Sequence, residues 1–342
     1  MNPIEARKED HIRVSLEEDV QARSVRTGFD RYVFIHQALP ELDFAEISTE
    51  TKFLGRTFAA PLLISSMTGG LERGRTINRN LAQAAQRMNV PMGLGSQRIT
   101  RERPETLDSF LVRDVAPDVF LIGNVGAVQL NYGFDVETCR ELVRSVGADA
   151  LYLHLNPLQE VVQPEGDTNF KGLLPKIETL CRELGVPVLA KEVGSGIAPD
   201  TARRLVEAGV AAIDVAGTGG TSWAAIEGLR ATSNVARSLG ELFRDWGLPT
   251  SESLKLCRRE LPDTPLVASG GIRTGLDVAK ALALGADLAA TAHPFLEAAT
   301  TSSEAVEAVI HRLVTELKVV MFCLGCRTID ELRRTDRLRE VS

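Results

Sequence analysis

Between residues 61 and 291, short apolar runs alternate with stretches whose apolar residues recur every three or four positions. The runs stand at 61–66 (PLLISS), 91–95 (PMGLG), 119–123 (VFLIG), 150–156 (ALYLHLN), 187–193 (PVLAKEV), 211–216 (AAIDVA), 265–269 (PLVAS) and 287–291 (DLAAT). They are too short for buried helices and read as strands covered on both faces. Among the intervening stretches, 75–88, 136–146, 173–184 and 199–208 have the helical period. Four of the connections end in glycine just before an apolar run: VGAD from Val146, LGVP from Leu184, AGV from Ala208 and LGAD from Leu284. Glycine accepts the left-handed conformation past a helix end without strain. Repeated strand–helix units of this kind build a parallel sheet with right-handed crossovers. Eight in series close most naturally into a (β/α)8 TIM barrel, with an open doubly wound sheet as the alternative.

The flanks refine this picture. Residues 1–60 are rich in charge and are expected to cap the barrel as a substrate-binding segment. The barrel itself is expected over 61–314, with a C-terminal helix and charged end over 315–342. The connection from Gly217 to Asp263 is longer than the rest and predicts an excursion over the barrel mouth. No low-complexity linker divides the chain, so 1–342 reads as a single domain.

Composition narrows the function classes. Of 342 residues, 44% are hydrophobic and 25% charged, ample for one core, and the net charge is −7. That acidic balance argues against nucleic acid as a partner, so an anionic ligand must meet locally placed cations. The opening MNPIEARKEDHIRV lacks a signal-peptide core, and no run approaches the length of a membrane span. The expectation is a cytoplasmic protein without a membrane partner. Five cysteines (Cys139, Cys181, Cys257, Cys323, Cys326) suit reduced, structural thiols. Cys323 and Cys326 have CxxC spacing but neither a second pair nor a nearby histidine, so a metal or redox role is not expected.

Active sites of such barrels lie at the C-terminal ends of the strands, where this sequence concentrates its polar and glycine-rich motifs. In order they are SMTGG from Ser66, GSQR from Gly95, GNVG from Gly123, HLNPLQE from His154, KEVGSG from Lys191, GTGGTSW from Gly217, SGGIR from Ser269 and AHP from Ala292. Gly270, Gly271 and Arg273 after strand 7, with Ala292 and His293 after strand 8, occupy the usual phosphate position of the fold. Lys191 lies inside an apolar strand, where an ammonium must be paired or neutralised; a Schiff-base lysine and a cation beside an electron-rich cofactor both fit. His154 and Asn156, two apart, share a strand face. Glu160 follows as a single carboxylate without an acidic partner, which suits Mg²⁺ held with substrate phosphates and water. Asn124 can face the same cavity. Arg98 is a candidate anion clamp, and Arg7, Lys8 and His11 form a second basic cluster that would ordinarily be a solvated terminal face.

Seven motifs occur in order along nearly the whole chain: RKEDH, MTGG, GSQR, HLNPLQE, KEVG, AGTGGTSW and SGGIRTG. On them the sequence resembles the type 2 isopentenyl-diphosphate isomerases, the FMN-dependent class. The resemblance implies FMN across the mouth of a (β/α)8 barrel, reduction by NADPH, Mg²⁺, and a homo-oligomer, tetramer or octamer. It implies a flavin site lined by Ser66, Met67, Thr68, Ser96, Asn124, Lys191, Thr221, Gly271, Ile272, Arg273, Ala292 and His293. It places substrate diphosphate against Arg7, Lys8, His11, Ser96, Gln97, Arg98 and Gln159. His154, Asn156, Gln159 and Lys191 become the catalytic group, and Glu160 the metal ligand. The implied reaction is a 1,3-proton shift between isopentenyl and dimethylallyl diphosphate, with reduced flavin as acid–base. Two positions depart from the family pattern: Ala216, where serine is common, and His293 beside the flavin phosphate. Three other readings are open to a barrel of this kind. A flavin-dependent 2-hydroxy-acid oxidase needs a histidine–arginine HGxR arrangement after strand 6, where this chain has GTGGT. An IMP-dehydrogenase-like barrel needs a rim-loop cysteine. A non-catalytic FMN-binding protein would have no need for Lys191, Gln159 and Glu160 together.

Overall fold

The computed structural model describes residues 3–341, with side chains from Ala6 onward. The apolar runs form eight parallel strands: β1 (Leu62–Ile64), β2 (Met92–Gly93), β3 (Leu121–Gly126), β4 (Ala150–Leu155), β5 (Val188–Glu192), β6 (Ala212–Asp214), β7 (Leu266–Ala268) and β8 (Leu288–Thr291). They close into a barrel in chain order, with β8 pairing β1. The expected (β/α)8 architecture is therefore present. Strand β3 runs further than its apolar stretch, because Asn124 and Gly126 continue the ladder opposite Tyr152 and His154.

The α-helices of six or more residues are α1 (Pro3–Glu17), α2 (Glu72–Met88), α3 (Val136–Val146), α4 (Pro157–Val162), α5 (Leu173–Glu183), α6 (Pro199–Glu207), α7 (Trp223–Arg230), α8 (Asn234–Leu242), α9 (Thr250–Glu260), α10 (Gly275–Ala283), α11 (His293–Thr301) and α12 (Ser303–Leu324). Local chemistry fixes their ends. Asp135 caps α3 by accepting from the Thr138 amide at 2.8 Å, and Gly147 ends it at φ 64°. Thr274 and Asp277 form a reciprocal capping box on α10.

Two apolar layers sandwich the strands. Ile77, Leu81 and Ala85 of α2 and Leu142 and Val146 of α3 face the outside of the barrel. Inside it, Leu63, Ile122, Tyr152, Leu189, Val267 and Leu288 fill the interior with Phe53 and Phe58. Those two phenylalanines belong to a hairpin, Thr51–Phe53 with Arg56–Phe58, that plugs the end opposite the site. Residues 1–60 thus cap both ends: α1 lies over the mouth, and the hairpin closes the floor.

The expected boundary at 315 falls in the middle of α12. Val306, Ile310, Leu313, Leu317, Met321 and Leu324 keep one buried face throughout this helix, so no break is possible there. Past it, Leu338–Glu340 pairs antiparallel with Tyr32–Phe34, tying the end of the chain to the N-terminal segment. The long connection after β6 supplies α7 and α8 above the rim, while α9 packs beside β7 as an ordinary barrel helix. Among the described residues, no helix is long and apolar enough to cross a membrane.

Candidate active site

A cavity of about 260 Å³ opens at the C-terminal ends of the strands. Every rim motif contributes to it, and α1 and α7 roof it. Of the residues expected at the site, all but two line this one cavity. The exceptions are Gln97 and Ile272. The Gln97 side chain is fully buried outside the barrel wall, accepting from the Asn124 amide at 3.0 Å and donating to the Leu142 carbonyl at 3.3 Å. Ile272 is 1% exposed and belongs to the outer core. Each sits between two cavity-lining neighbours and points the other way. None of the five cysteines lines the cavity, and all are free thiols.

The corner after β7 and β8 is built for an anion. Gly270 and Gly271 have φ of 101° and 74°, and a Cβ on Gly271 would sit 2.3 Å from the Thr27 methyl. Arg273 is largely buried, its guanidinium donates to Gln21 Oε1 at 2.8 Å and to the Ile272 carbonyl at 3.1 Å, and it forms no ion pair among the described residues. Burial therefore lowers its pKa, and burial followed by the Arg273 charge does the same to His293. Helix α11 begins here with no side-chain cap on its first amides. An unpaired buried guanidinium beside a free helix N-terminus fits a phosphate group.

The floor of the cavity carries His154 on β4 and Lys191 on β5, aligned in register with each other and with Asp214 on β6, which lies beneath the cavity lining. The Asn124 amide oxygen lies 2.8 Å from His154 Nδ1; as an acceptor it assigns the proton to that nitrogen and leaves Nε2 with a lone pair. Burial, then Lys191 and Arg98, push His154 down to about 3, so the imidazole is neutral at physiological pH. Lys191 donates to the Glu192 carbonyl at 2.6 Å and forms no ion pair among the described residues, which leaves its remaining donors for a ligand. The buried hydroxyls of Ser65 and Ser66 have no partner. Ala216, just past β6, holds a left-handed φ of 38°, a strained conformation for a residue with a Cβ. Unpaired buried donors around a flat-floored cavity fit a flavin ring above Lys191.

A second cationic corner lies across the rim, at the ends of β2 to β4. Lys8 reaches from α1 to the carbonyls of Gly69 (2.6 Å) and Ser96 (3.1 Å). Burial, reinforced by Arg7, depresses its pKa to about 7. Burial and then Arg98 also lower that of Arg7, against the pull of Glu227, Glu165 and Glu160. Arg98 is paired with Asp167 at 2.5 Å. Hence the basic cluster of α1 is not a solvated face.

The HLNPLQE stretch connects this corner to the floor. The Asn156 amide donates to Gln159 Oε1 and to Glu160 Oε1, both at 3.0 Å. The Asp167 amide donates to Glu160 Oε2 at 2.7 Å, and Asn156 Oδ1 is buried without a partner. Burial raises the Glu160 pKa, as for a carboxylate short of positive charge. Among the described residues no three His, Cys, Asp or Glu side chains converge as a metal cage. One carboxylate with an orphan amide oxygen is a hard-oxygen set that fits Mg²⁺ completed by phosphate and water.

A second carboxylate reaches this stretch through Gln159. Glu227 of α7 is fully buried, accepting from Gln159 Nε2 and pairing with His11 Nε2, each at 2.9 Å, and bonding Arg230. Burial raises the Glu227 pKa, but its bonds to His11 and Gln159 and the charge of Arg230 outweigh that and hold it at about 2. The residue lies on the buried face of the helix WAAIEGLR, among Ala224, Ala225, Ile226 and Gly228. A glutamate on such a face is the one signal that could have found it.

Residues 3–107 and 152–339 match the FMN-dependent dehydrogenase family. Among solved structures, the fold is shared with a mandelate oxidase carrying an FMN monooxide adduct (TM-score 0.64, 21% identity, 92% of this chain and 89% of that one). It is shared also with an (S)-mandelate dehydrogenase (TM-score 0.66, 16% identity, 98% of both chains). The chain belongs to this family of FMN-dependent enzymes on a (β/α)8 barrel. Much greater likeness is found to isopentenyl-diphosphate delta-isomerases. That of Nostoc sp. is 52% identical over 337 residues (98% of this chain, 96% of the relative). Those of Synechococcus sp. and Rickettsia bellii are 53% and 48% identical over 333 and 330 residues, covering 97% and 96% of this chain and 96% of each relative. Within the wider family, then, the chain is an isomerase of the isopentenyl-diphosphate delta-isomerase group.

Proposed function

We propose that this isomerase interconverts isopentenyl and dimethylallyl diphosphate by a 1,3-proton shift, using FMN held reduced by NADPH, and Mg²⁺. The observation that supports this best is the pair of cationic corners on opposite sides of one cavity, Arg273 with His293 and Arg7 with Lys8 and Arg98. One suits the flavin phosphate and the other a diphosphate, with room for the alkene between them. The floor offers no strong side-chain acid: His154 is neutral, and Asn156 and Gln159 are amides. Bound reduced flavin supplies the acid–base chemistry that the reacting carbons require.

The protein's own groups divide the remaining work. Ser66, Met67, Thr68, Asn124, Thr221, Gly271 and Ala292 bound the flavin side of the cavity. Lys191 offsets negative charge on the ring in a low-dielectric site. Arg7, Lys8, Arg98 and His11, with Ser96, hold the diphosphate. Glu160 and the free Asn156 Oδ1 hold Mg²⁺ against it. His154 presents its Nε2 lone pair to the alkene end. Gln159, gripped by Asn156 and Glu227, orients that end and guides a proton without acting as a base. A cytoplasmic homo-oligomer, tetramer or octamer, belongs to the same reading. The hydroxy-acid oxidase alternative gains no support, because no histidine–arginine pair follows β6.

The test is turnover of isopentenyl diphosphate with FMN and Mg²⁺, monitored by proton NMR. Activity should appear on adding NADPH or dithionite under anaerobic conditions. Full activity with oxidised flavin and no reductant would refute the mechanism.

A further inference from the structure

Below the cavity floor lies a charged group to which the proposed chemistry assigns nothing. Asp214 is 1% exposed, inside the barrel, and both its oxygens are engaged. The Ser269 hydroxyl donates to Oδ1 at 2.6 Å and the Tyr152 hydroxyl to Oδ2 at 3.3 Å. Burial raises the Asp214 pKa, and it is opposed by the Lys191 charge and by the two hydroxyl donors, whose convergence on one carboxyl favours the ionised form that only accepts. The neighbouring strand places Lys191 in register with it, on the same inward face. No ion pair forms, because the ammonium reaches up instead to the Glu192 carbonyl. The barrel interior thus contains one anion below and one cation above, at the wall of the flavin cavity. Burying an ammonium and a carboxylate separately is costly, and each reduces the cost of the other. The groups facing Asp214 are Lys191, Tyr152 and Ser269, and His154 adjoins Lys191 as a neutral imidazole.

We infer that Asp214 is the fixed counter-charge of Lys191 and sets how strongly the site favours reduced, anionic flavin over the oxidised form. It is a positioning residue, one layer removed from the cofactor. Lys191 attracts the negative charge that the ring gains on reduction, and Asp214 moderates that attraction. The inference rests on FMN binding above Lys191.

Asp214→Asn keeps the shape and removes the charge: its amide oxygen can accept from one of the two hydroxyls, and its NH2 can donate to the oxygen of the other. The reconstituted FMN protein should then show a more positive midpoint potential by anaerobic dye-linked titration. The same change must appear as tighter retention of reduced relative to oxidised FMN in equilibrium dialysis. A purely structural role would weaken both forms alike and leave the potential in place. An unchanged or more negative potential overturns the inference. Should Asp214→Asn fail to fold, Lys191→Met and Lys191→Met/Asp214→Asn form the second comparison, since the double variant buries no unpaired charge. The double variant should again have the more positive potential, and equal potentials overturn the inference. Failure of the unaltered protein to retain FMN would instead reject the flavin placement on which the inference stands.

Discussion

Arg7→Met separates substrate binding from folding. Methionine keeps most of the apolar stem and removes the guanidinium. The structure gives this charge an unfavourable setting: burial and Arg98 act against it more than Glu227, Glu165 and Glu160 support it. Without an anion, its removal relieves like-charge repulsion, so the ligand-free protein should melt at the same temperature or up to a few degrees higher. A charge-assisted hydrogen bond to phosphate is worth about 1.5–3 kcal/mol, and about 1.4 kcal/mol is a factor of ten in affinity. The diphosphate should therefore bind about 10- to 150-fold more weakly. Calorimetric titration of inorganic pyrophosphate with Mg²⁺ into the oxidised FMN protein reads this without turnover. Unchanged affinity would show that Arg7 does not meet the diphosphate. A melting temperature several degrees lower would show that it holds α1 in place instead.

Three further outcomes follow from the same geometry. Lys8, depressed from 10.5 to about 7 in the folded state, binds fewer protons there than when unfolded, so its unfavourable contribution is fully present below pH 7 and is relieved as pH rises towards 10.5. Diphosphate should restore its proton, so titrations at pH 8 in buffers of different ionisation enthalpy should show uptake of up to about one proton, lost in Lys8→Met; identical heats in all buffers would contradict this. Glu160→Gln should raise the Mg²⁺ concentration required for half-maximal activity by at least about tenfold, and an unaltered metal titration would remove Glu160 as a ligand. His154, held at about 3, should show no imidazole titration between pH 5 and 8 in nitrogen-resolved NMR, whereas a titration near 6.5 would show that it is charged in the working range.

The barrel was legible because buried parallel strands leave continuous apolar runs, and glycine marks the helix ends before them. The floor of the site was legible for a related reason: Lys191 and His154 interrupt those runs. Gln97 and Ile272 stand inside GSQR and GGIR, and such blocks do not show which of their residues face inward. The chain turns at Gln97 into a short helix with Arg98 at its N-cap position, so Ser96 and Arg98 face the cavity while Gln97 faces α3. Glu227 was missed because its partners come from residues 11, 159 and 230, and no local pattern shows that a helical glutamate meets all three. The boundary at 315 does not mark an element end, because the buried face of α12 runs on unbroken from Val306 to Leu324.

The central claim is isomerisation without net redox change, on a barrel shared with flavin oxidases and dehydrogenases. The direct measurement is anaerobic incubation of the protein, its FMN reduced once by dithionite, with a hundredfold excess of isopentenyl diphosphate and Mg²⁺ in D₂O. The account predicts many turnovers per flavin, deuterium in the dimethylallyl product and flavin still reduced at the end. Product limited to one equivalent per flavin, with the flavin oxidised, would contradict it.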